Sequence, residues 1–409
     1  MLNLIWLSFF VIAFISALYQ WLVIDNPSIF QQLLQSLVDM SSLTVDIAIG
    51  LIGILSFWLG MMQIAEKSGL VAKLAHAISP LFSRLMPDVP KDHRAFGSIT
   101  MNLSANFLGL DNAATPLGLK AMQDLQSINP KKDTASNAQI LFLVLNTSSV
   151  TLFPITVFVY RAQQGAVEPT DVFLPILLAT FASTMAGLIA VAWVQKIRLW
   201  QGVIMAYLGG AFALFGALVA YMISLSAEQL SQQSSLMGNL LILSVLLFFL
   251  LYAHSKQVNV YDEFIKGAKQ GLAVCIRILP YLLAMLCAIG LVRASGALDV
   301  LVASIRRAIE LLGADTRFVD ALPTALIKPL SGSGARAMMI ETMNHHGADS
   351  FAGRLASIMQ GSTETTFYVL AVYFGSVGIR YTRHAIACGL IADVAGISAA
   401  IAVCYWFFG

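Results

Sequence analysis

Three polar clusters interrupt otherwise apolar stretches of this chain, and each has residue types suited to binding a small solute or ion. The first is Gln360-Gly361-Ser362-Thr363-Glu364-Thr365-Thr366. Gly361 permits unwinding, and the hydroxyls can replace lost backbone partners or contact a solute. Glu364 can bind a cation, accept a hydrogen bond from a substrate hydroxyl or amine, or carry a proton. The alternative is structural: Ser and Thr cap a helix start, and Glu364 is favoured by the positive end of the helix dipole. The second cluster is Lys328-Pro329-Leu330-Ser331-Gly332-Ser333-Gly334-Ala335-Arg336. A small-residue turn entering a helix offers free N–H groups to an anion, and Arg336 or Lys328 would strengthen that site. Its alternative is a tight hairpin tip with Arg336 paired to Glu341 or Glu364. The third runs from Asn102 to Pro116, NLSANFLGLDNAATP. Asn102 and Asn106 are four apart and share one helix face, Asp111 adds a carboxylate, and Asn112 or Thr115 can cap a helix begun by Pro116. Buried amides at this density need partners, and a bound solute is one. Asn146, Thr147, Ser148, Ser149 and Thr151 supply matching polarity further along. These clusters define the expected substrate-binding set, with Ser331, Ser333, Arg336, Gln360, Ser362, Thr363, Glu364 and Thr365 in the C-terminal half.

No catalytic apparatus accompanies them. The chain has no nucleophile–base pair, Walker loop or HExxH motif, so an enzyme is not expected. Cys275, Cys287, Cys388 and Cys404 sit in apolar surroundings without paired or metal-ligand spacing and read as small buried hydrophobes. His345 and His346 with Asp349 read as a polar turn. No cofactor or metal is expected beyond a coupling ion, sodium or a proton.

Positioning such clusters requires helices in lipid. Of 409 residues, 58% are hydrophobic and 11% charged, with mean hydropathy +0.78, whereas a soluble domain carries about 25% charged residues. The polar side chains are too few to cover a water-facing surface, so the partner is the bilayer. A net charge of +2 with no basic run gives no reason to expect nucleic acid. The uncharged stretch from Met1 to Ile24 lacks a basic leader and reads as a retained helix. Spans are expected at Leu2–Ile24, Ile47–Ala65, Ala135–Tyr160, Val172–Val194, Leu199–Ala227, Leu236–Ala253, Ile278–Val292, Thr365–Ile379 and Val394–Phe408. The last three must extend past Arg277, Glu364 or Asp393, charges that should face protein or water. Asp92–Gln126 and Asp320–His346 are apolar but broken by Gly, Pro, Asn and Ser, and are candidate re-entrant hairpins. Connections Asp25–Thr44, Ala162–Asp171 and Glu228–Ser235 lack Lys and Arg, while the opposite connections are rich in them. That bias predicts a cytoplasmic N-terminus in the inner membrane, although Arg306, Arg307 and Arg317 run against it. Gly209, Ala213 and Ala217 form a small-residue stripe suited to helix packing or a homo-oligomer.

The two halves also align. PYLLAMLCAIGLVRASGAL (Pro280–Leu298) repeats the apolar helix and Ser-Gly stop of Ile54–Leu70. Asp111–Pro116 parallels Ser331–Gly334, and Asn146–Phe153 parallels Gly361–Tyr368. Five crossings between the copies would invert the second, an architecture of secondary transporters whose broken helices meet at mid-membrane.

NLSANFLGLDNAATPLGLKAM with NTSSVTLFP resembles the spore maturation protein A family. LPTALIKPLSGSGARAMM with SIMQGSTETTFYVLAVYFGSVGIRYTRHA resembles the spore maturation protein B family. Both fall in the nucleoside-recognition (Gate) domain superfamily, which also includes parts of concentrative nucleoside transporters and of ferrous iron transporter B. The resemblance covers nearly the whole chain. It implies an A-like Gate repeat with an extra N-terminal helix over 1–200, linking helices over 201–260 and a B-like repeat over 261–409. In nucleoside transporters hairpin tips and unwound helices form the substrate and sodium sites. By motif position that role would fall on Asn106, Asn112, Ser148, Ser331, Ser333, Ser362, Thr363 and Glu364. In spore formers the A and B proteins are linked to core dehydration, and a Gate relative to dipicolinate transport. Asp111 stands where the A-type motif is expected to carry Gly, which argues against a purely anionic substrate. The expected fold is an all-α integral membrane protein of two Gate-type repeats, inverted, each with a broken or re-entrant helical hairpin. The expected function is a secondary transporter or permease of a small polar solute, nucleoside-like or dicarboxylate. A non-transporting scaffold or envelope maturation factor and a lipid-translocating protein are the alternatives.

Overall fold

The computed structural model describes residues 2–90, 93–108, 111–148 and 152–409, without side-chain placement at 2, 3, 5, 111–113 and 277. Regular structure among the described residues is helical, apart from an isolated bridge between Thr134 and Tyr381. In chain order the helices are α1 (Leu2–Ile24), α2 (Ile29–Lys67), α3 (Leu70–Leu85), α4 (Ala95–Phe107), α5 (Asp111–Ile128) and α6 (Asn137–Ser148). They continue as α7 (Ile155–Gln163), α8 (Phe173–Gln195), α9 (Gly202–Ile223), α10 (Ala227–Ser255), α11 (Val260–Ala294) and α12 (Ala297–Glu310). A 3-10 turn (Arg317–Ala321) leads into α13 (Leu322–Ile327), α14 (Gly332–His346), α15 (Phe351–Ser362), α16 (Thr366–Ser376) and α17 (Ala385–Phe408).

Seven of these, α1, α2, α8, α9, α10, α11 and α17, are long and apolar enough to cross a membrane. The protein is a multi-pass membrane protein. On α9 the side chains of Phe212, Leu214 and Ile223 stay exposed, as lipid-facing positions do. Several helices exceed their apolar cores. At 39 and 35 residues, α2 and α11 run about 58 and 52 Å, well beyond the roughly 30 Å hydrocarbon layer. The expected connections Asp25–Thr44 and Glu228–Ser235 are therefore mostly helix. Ser226 and Gln229 form a capping box that starts α10 nine residues before the apolar run at Leu236. Likewise α17 begins at Ala385, ahead of Val394.

Two expected spans are not single long helices. Ala135–Tyr160 is divided into α6 and α7, and Thr365–Ile379 contains only the 11-residue α16. The end of α6 has a local cause. Asn146, Thr147 and Ser148 turn their side chains back onto the carbonyls of Phe142, Val144 and Leu145. These bonds compete with helix continuation.

The chain forms two compact units. One comprises Met1–Gly60, Thr156–Pro169 and Phe264–Gln360; the other comprises Met61–Ile155, Thr170–Glu263 and Gly361–Gly409. In the first, α1 is fastened to α11 and the turn after it: Trp6 donates to the Ala284 carbonyl at 2.9 Å, and Ser16 and Gln20 both donate to the Ser295 carbonyl. In the second, α17 lies along α8 and α6, with α10 against both α8 and α17, and α4 and α5 pack as a pair. Its core includes Phe82, Leu103, Leu141, Phe142, Val144 and Phe374.

The repeat is visible in local geometry. Both α2 and α11 end in a Ser-Gly pair. Ser68 and Ser295 each donate to the carbonyl three residues back, and Gly69 and Gly296 adopt positive φ of 79° and 70°. That left-handed conformation is one only glycine reaches without strain, and it redirects the chain into the amphipathic helices α3 and α12. Each copy continues with a helix pair (α4–α5, α13–α14) and an interrupted helix (α6–α7, α15–α16).

Candidate functional site

In the second unit the two N-terminal polar clusters meet. On α4, Asn102 is fully buried and donates to the Ala114 carbonyl of α5 at 2.7 Å, while its Oδ1 finds no partner among the described residues. One turn on, Asn106 donates to Asn146 Oδ1 at 2.9 Å, joining α4 to the end of α6. Between them, Ser104 Oγ is also buried without a partner among the described residues. Thr115 lies in the second turn of α5, half-buried. Pro116 does not begin that helix: α5 starts at Asp111 and Pro116 falls inside it. The side chains of Asp111 and Asn112, and all of Ser149 and Thr151, lie outside the described residues.

The break after α15 reaches the same place. Glu364 N–H donates to the Thr147 carbonyl at 2.7 Å, so the segment between α15 and α16 is pinned to the end of α6. The Ser148 carbonyl accepts from Thr180 and Thr184 of α8 at 3.3 and 3.4 Å. Ser362, Thr363 and Thr365 are buried, and Thr363 Oγ1 has no partner among the described residues. Thr365 stands at the cap position of α16 but makes no side-chain cap bond. Gly361 does not unwind the chain. It lies within α15, where an added Cβ would approach Ile176 Cγ2 to 2.9 Å, so close packing accounts for it. Glu364 itself is exposed. Of the charges expected at depth, Asp393 faces protein: it is 1% exposed and accepts from Thr366 Oγ1 at 2.6 Å. The side chain of Arg277 lies outside the described residues.

The first unit holds the other cluster. Ser331 caps α14 by accepting from Gly334 N–H at 3.0 Å and lies 3.3 Å from the Ser333 hydroxyl. Lys328, 3% exposed, donates to the Gln360 carbonyl at 2.8 Å, and Gln360 Oε1 is buried without a partner among the described residues. Arg336 lies over the Tyr160 ring, 5.7 Å from its centroid, while Glu341 is bound by Arg293 at 2.5 and 2.7 Å. Asp349 lies in the turn that follows the histidines and from there meets Arg161 at 3.1 Å. That side chain is fully buried and also donates to the Pro169 and Ala348 carbonyls.

The sequence reading flagged Asp393 as a buried charge without assigning it to the site, and it passed over Thr180, Ser183 and Thr184 on α8. The signal for Asp393 was an ionisable residue inside an apolar run; the α8 hydroxyls gave none. Cys275, Cys388 and Cys404 are buried and Cys287 half-buried.

Residues 48–163 and 275–380 match the Gate family, described as nucleoside recognition, and together take in more than half of the chain. Two proteins of Bacillus subtilis (strain 168) are similar. Spore maturation protein A is 41% identical over 190 residues, which is 46% of this chain and 93% of its own length. Spore maturation protein B is 45% identical over 160 residues, 39% of this chain and 88% of its own length. The two matched regions are the ones that contain the helix pairs and interrupted helices described above, and on that coverage the chain belongs to the Gate, or nucleoside recognition, family.

Proposed function

We propose that this protein is a secondary transporter or permease of a small polar solute, nucleoside-like or dicarboxylate, in the cytoplasmic membrane. The observation that carries the reading is the pinned pair of helix breaks, with the Glu364 N–H on the Thr147 carbonyl and Asn102, Ser104 and Thr363 each leaving a buried polar atom without a partner among the described residues. In a membrane-spanning chain such atoms cost several kcal/mol unless something satisfies them, and a polar solute is a suitable partner. Irregular backbone at membrane depth fits where it lines a cavity, and paired interrupted helices are the form such sites take in transporters built from inverted repeats. The exposed Glu364 carboxylate is positioned for a cation, a proton or a substrate hydroxyl.

The test is thermal stability of the detergent-purified protein against nucleosides, dicarboxylates, dipicolinate and phospholipid headgroups. A ligand at 100 times its dissociation constant stabilises by about 2.7 kcal/mol, and the shift should vanish in Glu364→Gln. Uptake into proteoliposomes by wild type but not by that variant would establish transport. Full uptake by the variant would remove Glu364 from the mechanism.

A second reading is a non-transporting maturation factor. It is favoured by the hydrogen bonds from Asn106 to Asn146 and from Thr366 to Asp393, and by the names of the two similar proteins, spore maturation proteins A and B. It predicts no saturable stabilisation by any solute. A lipid-translocating role would require a polar groove open to the bilayer. The cavity of about 280 Å³ beside Asn106 and Thr184 is lined otherwise by Leu152 and by apolar side chains of α3, α4, α6, α8 and α9, with Tyr207 on its wall.

A further inference from the structure

Three consecutive membrane-crossing helices of the second unit, α8, α9 and α10, enclose an apolar groove. Only residues 224–226 join α9 to α10, yet the two lean on different neighbours: α9 lies against α3, and α10 against α8 and α17. At one end α10 comes close to α8. A Cβ added at Gly238 would lie 3.1 Å from Phe173 Cβ, and Leu174 N–H donates to Ser234 Oγ at 3.0 Å. At the other end α9 meets α8 through Phe215, whose ring stacks on Phe181 with centroids 3.9 Å apart. Between these contacts the helices part around a groove of about 390 Å³. Phe173 and Leu174, both buried, form its floor, and its mouth runs between Leu214 of α9 and Leu240 of α10, both exposed. Apart from Ser244, every side chain that lines it is apolar.

Size and chemistry separate the possible occupants. A held water needs two to four polar partners, and the lining offers the Ser244 hydroxyl. A helix of another chain, about 10 Å across, fills more than about 400 Å³ in each 5.4 Å turn, so the whole groove is smaller than one turn. A hydrocarbon tail fits. An apolar cavity of roughly 150 Å³ takes the six carbons of benzene, and on that scale 390 Å³ takes about fifteen carbons, the length of an ordinary fatty acyl chain. Left unfilled, the lining would forfeit the dispersion contacts that a close-packed interior makes. The end nearest the α9–α10 connection, residues 224–235, carries Glu228 and no Lys or Arg. An anionic headgroup gains nothing there, so selection falls on the tail.

We propose that the groove between α8, α9 and α10 holds one acyl chain of a membrane phospholipid as a bound structural lipid. The tail completes the packing of α9 against α8 and α10, and so fixes the helix pair that lies in sequence between the two Gate regions. Because lipid tails are as apolar as the lining, the gain over free lipid comes from filling the void and not from leaving water. The site is independent of the transport reading, since none of its residues belongs to the polar clusters.

The experiment is a melt of the full chain, stripped of lipid by prolonged washing in detergent, with phosphatidylcholine or phosphatidylglycerol added back to the micelles. Lipid with sixteen-carbon tails should raise the melting temperature saturably, whichever headgroup it carries. Lipid with eight-carbon tails should need at least about tenfold more for the same shift, because the short tail leaves much of the groove void. Leu177→Trp fills the groove from α8 and should remove most of the shift. Because that change can disturb α8 itself, Ser244→Phe is the second filling variant, entering from the exposed side of α10. Leu243→Trp, exposed on α10 outside the groove, should leave the response intact. Equal shifts from both tail lengths, or an unchanged response in both filling variants, would mean unselective surface lipid and overturn the proposal. So would a doubling of mass in size-exclusion chromatography with light scattering once lipid is removed, with no response to added lipid, since a second copy would then cover the groove.

Discussion

Replacing Glu341 by Gln tests whether α14 is held to α11 by a buried ion pair. Glu341 on α14 has a side chain 6% exposed, and Arg293 on α11 one 17% exposed; the two make a two-pronged contact at 2.5 and 2.7 Å. Removing one member of a buried pair costs about 3–5 kcal/mol, most of it from the charge left behind. Here Asp299 also contacts the Arg293 guanidinium at 3.0 Å, and the Gln carbonyl retains one acceptor. The expected loss for Glu341→Gln is therefore about 2–3 kcal/mol. Arg293→Met removes the stranded charge, so the double variant should be at least about 1 kcal/mol more stable than the sum of the single losses predicts. The assay is denaturant-induced unfolding in mixed micelles, followed by circular dichroism, for wild type, both single variants and the double. A loss below about 0.5 kcal/mol for Glu341→Gln, or strict additivity, would show that the pair does not hold α14 to α11.

Two further outcomes follow from the second unit. Asn106→Ala and Asn146→Ala should be coupled by about 1 kcal/mol in a double-mutant cycle, the ordinary worth of one amide hydrogen bond, and zero coupling would remove that link between α4 and α6. Burial, then the neighbouring Arg383 guanidinium, lowers the pKa of His384, whose Nε2 lies 3.0 Å from Gln195 Nε2. The unfolded chain therefore takes up a proton first as pH falls below about 6.5. Stability should be unchanged above that pH and should decline from it down to the lowered folded value. His384→Gln should flatten this decline in melts taken between pH 7 and 5.

Composition and periodicity made the lipid environment, the repeat and the polar interruptions legible, because each is a property of contiguous residues. The matching Ser-Gly stops at Ser68-Gly69 and Ser295-Gly296 are the clearest case: a short string recurs and its backbone conformation recurs with it. Helix ends were less legible. The polar first turns of α2 and α10 look like loops on a hydropathy scale, yet Ser226 caps α10 well ahead of its apolar run. Pairings between distant positions were hidden altogether. Nothing local joins Arg293 to Glu341, Thr366 to Asp393, Glu364 to Thr147 or Arg336 to the Tyr160 ring.

The division into units predicts how the chain behaves when cut. The first unit takes Thr156–Pro169 from the N-terminal half together with Phe264–Gln360, and the second takes Gly361–Gly409 together with Met61–Ile155. The chain passes from one unit to the other between Ile155 and Thr156, at the start of α7, and between Gln360 and Gly361, near the end of α15. A half-chain ending in the loop after α8, where Trp200 is 87% exposed, would thus contain neither unit complete. It would lack α17, which in the intact second unit lies along α8 and α6 and buries Ala392, Asp393 and Ala400. Residues 1–198 and 199–409 expressed separately should each give aggregated or rapidly degraded material. Expressed together they should co-purify and melt within a few degrees of the intact chain, since only one exposed loop has been opened. Size-exclusion chromatography and a melt of each sample decide the matter. A monodisperse, cooperatively melting half on its own would mean that one repeat folds without segments of the other, contrary to the mixed composition of both units.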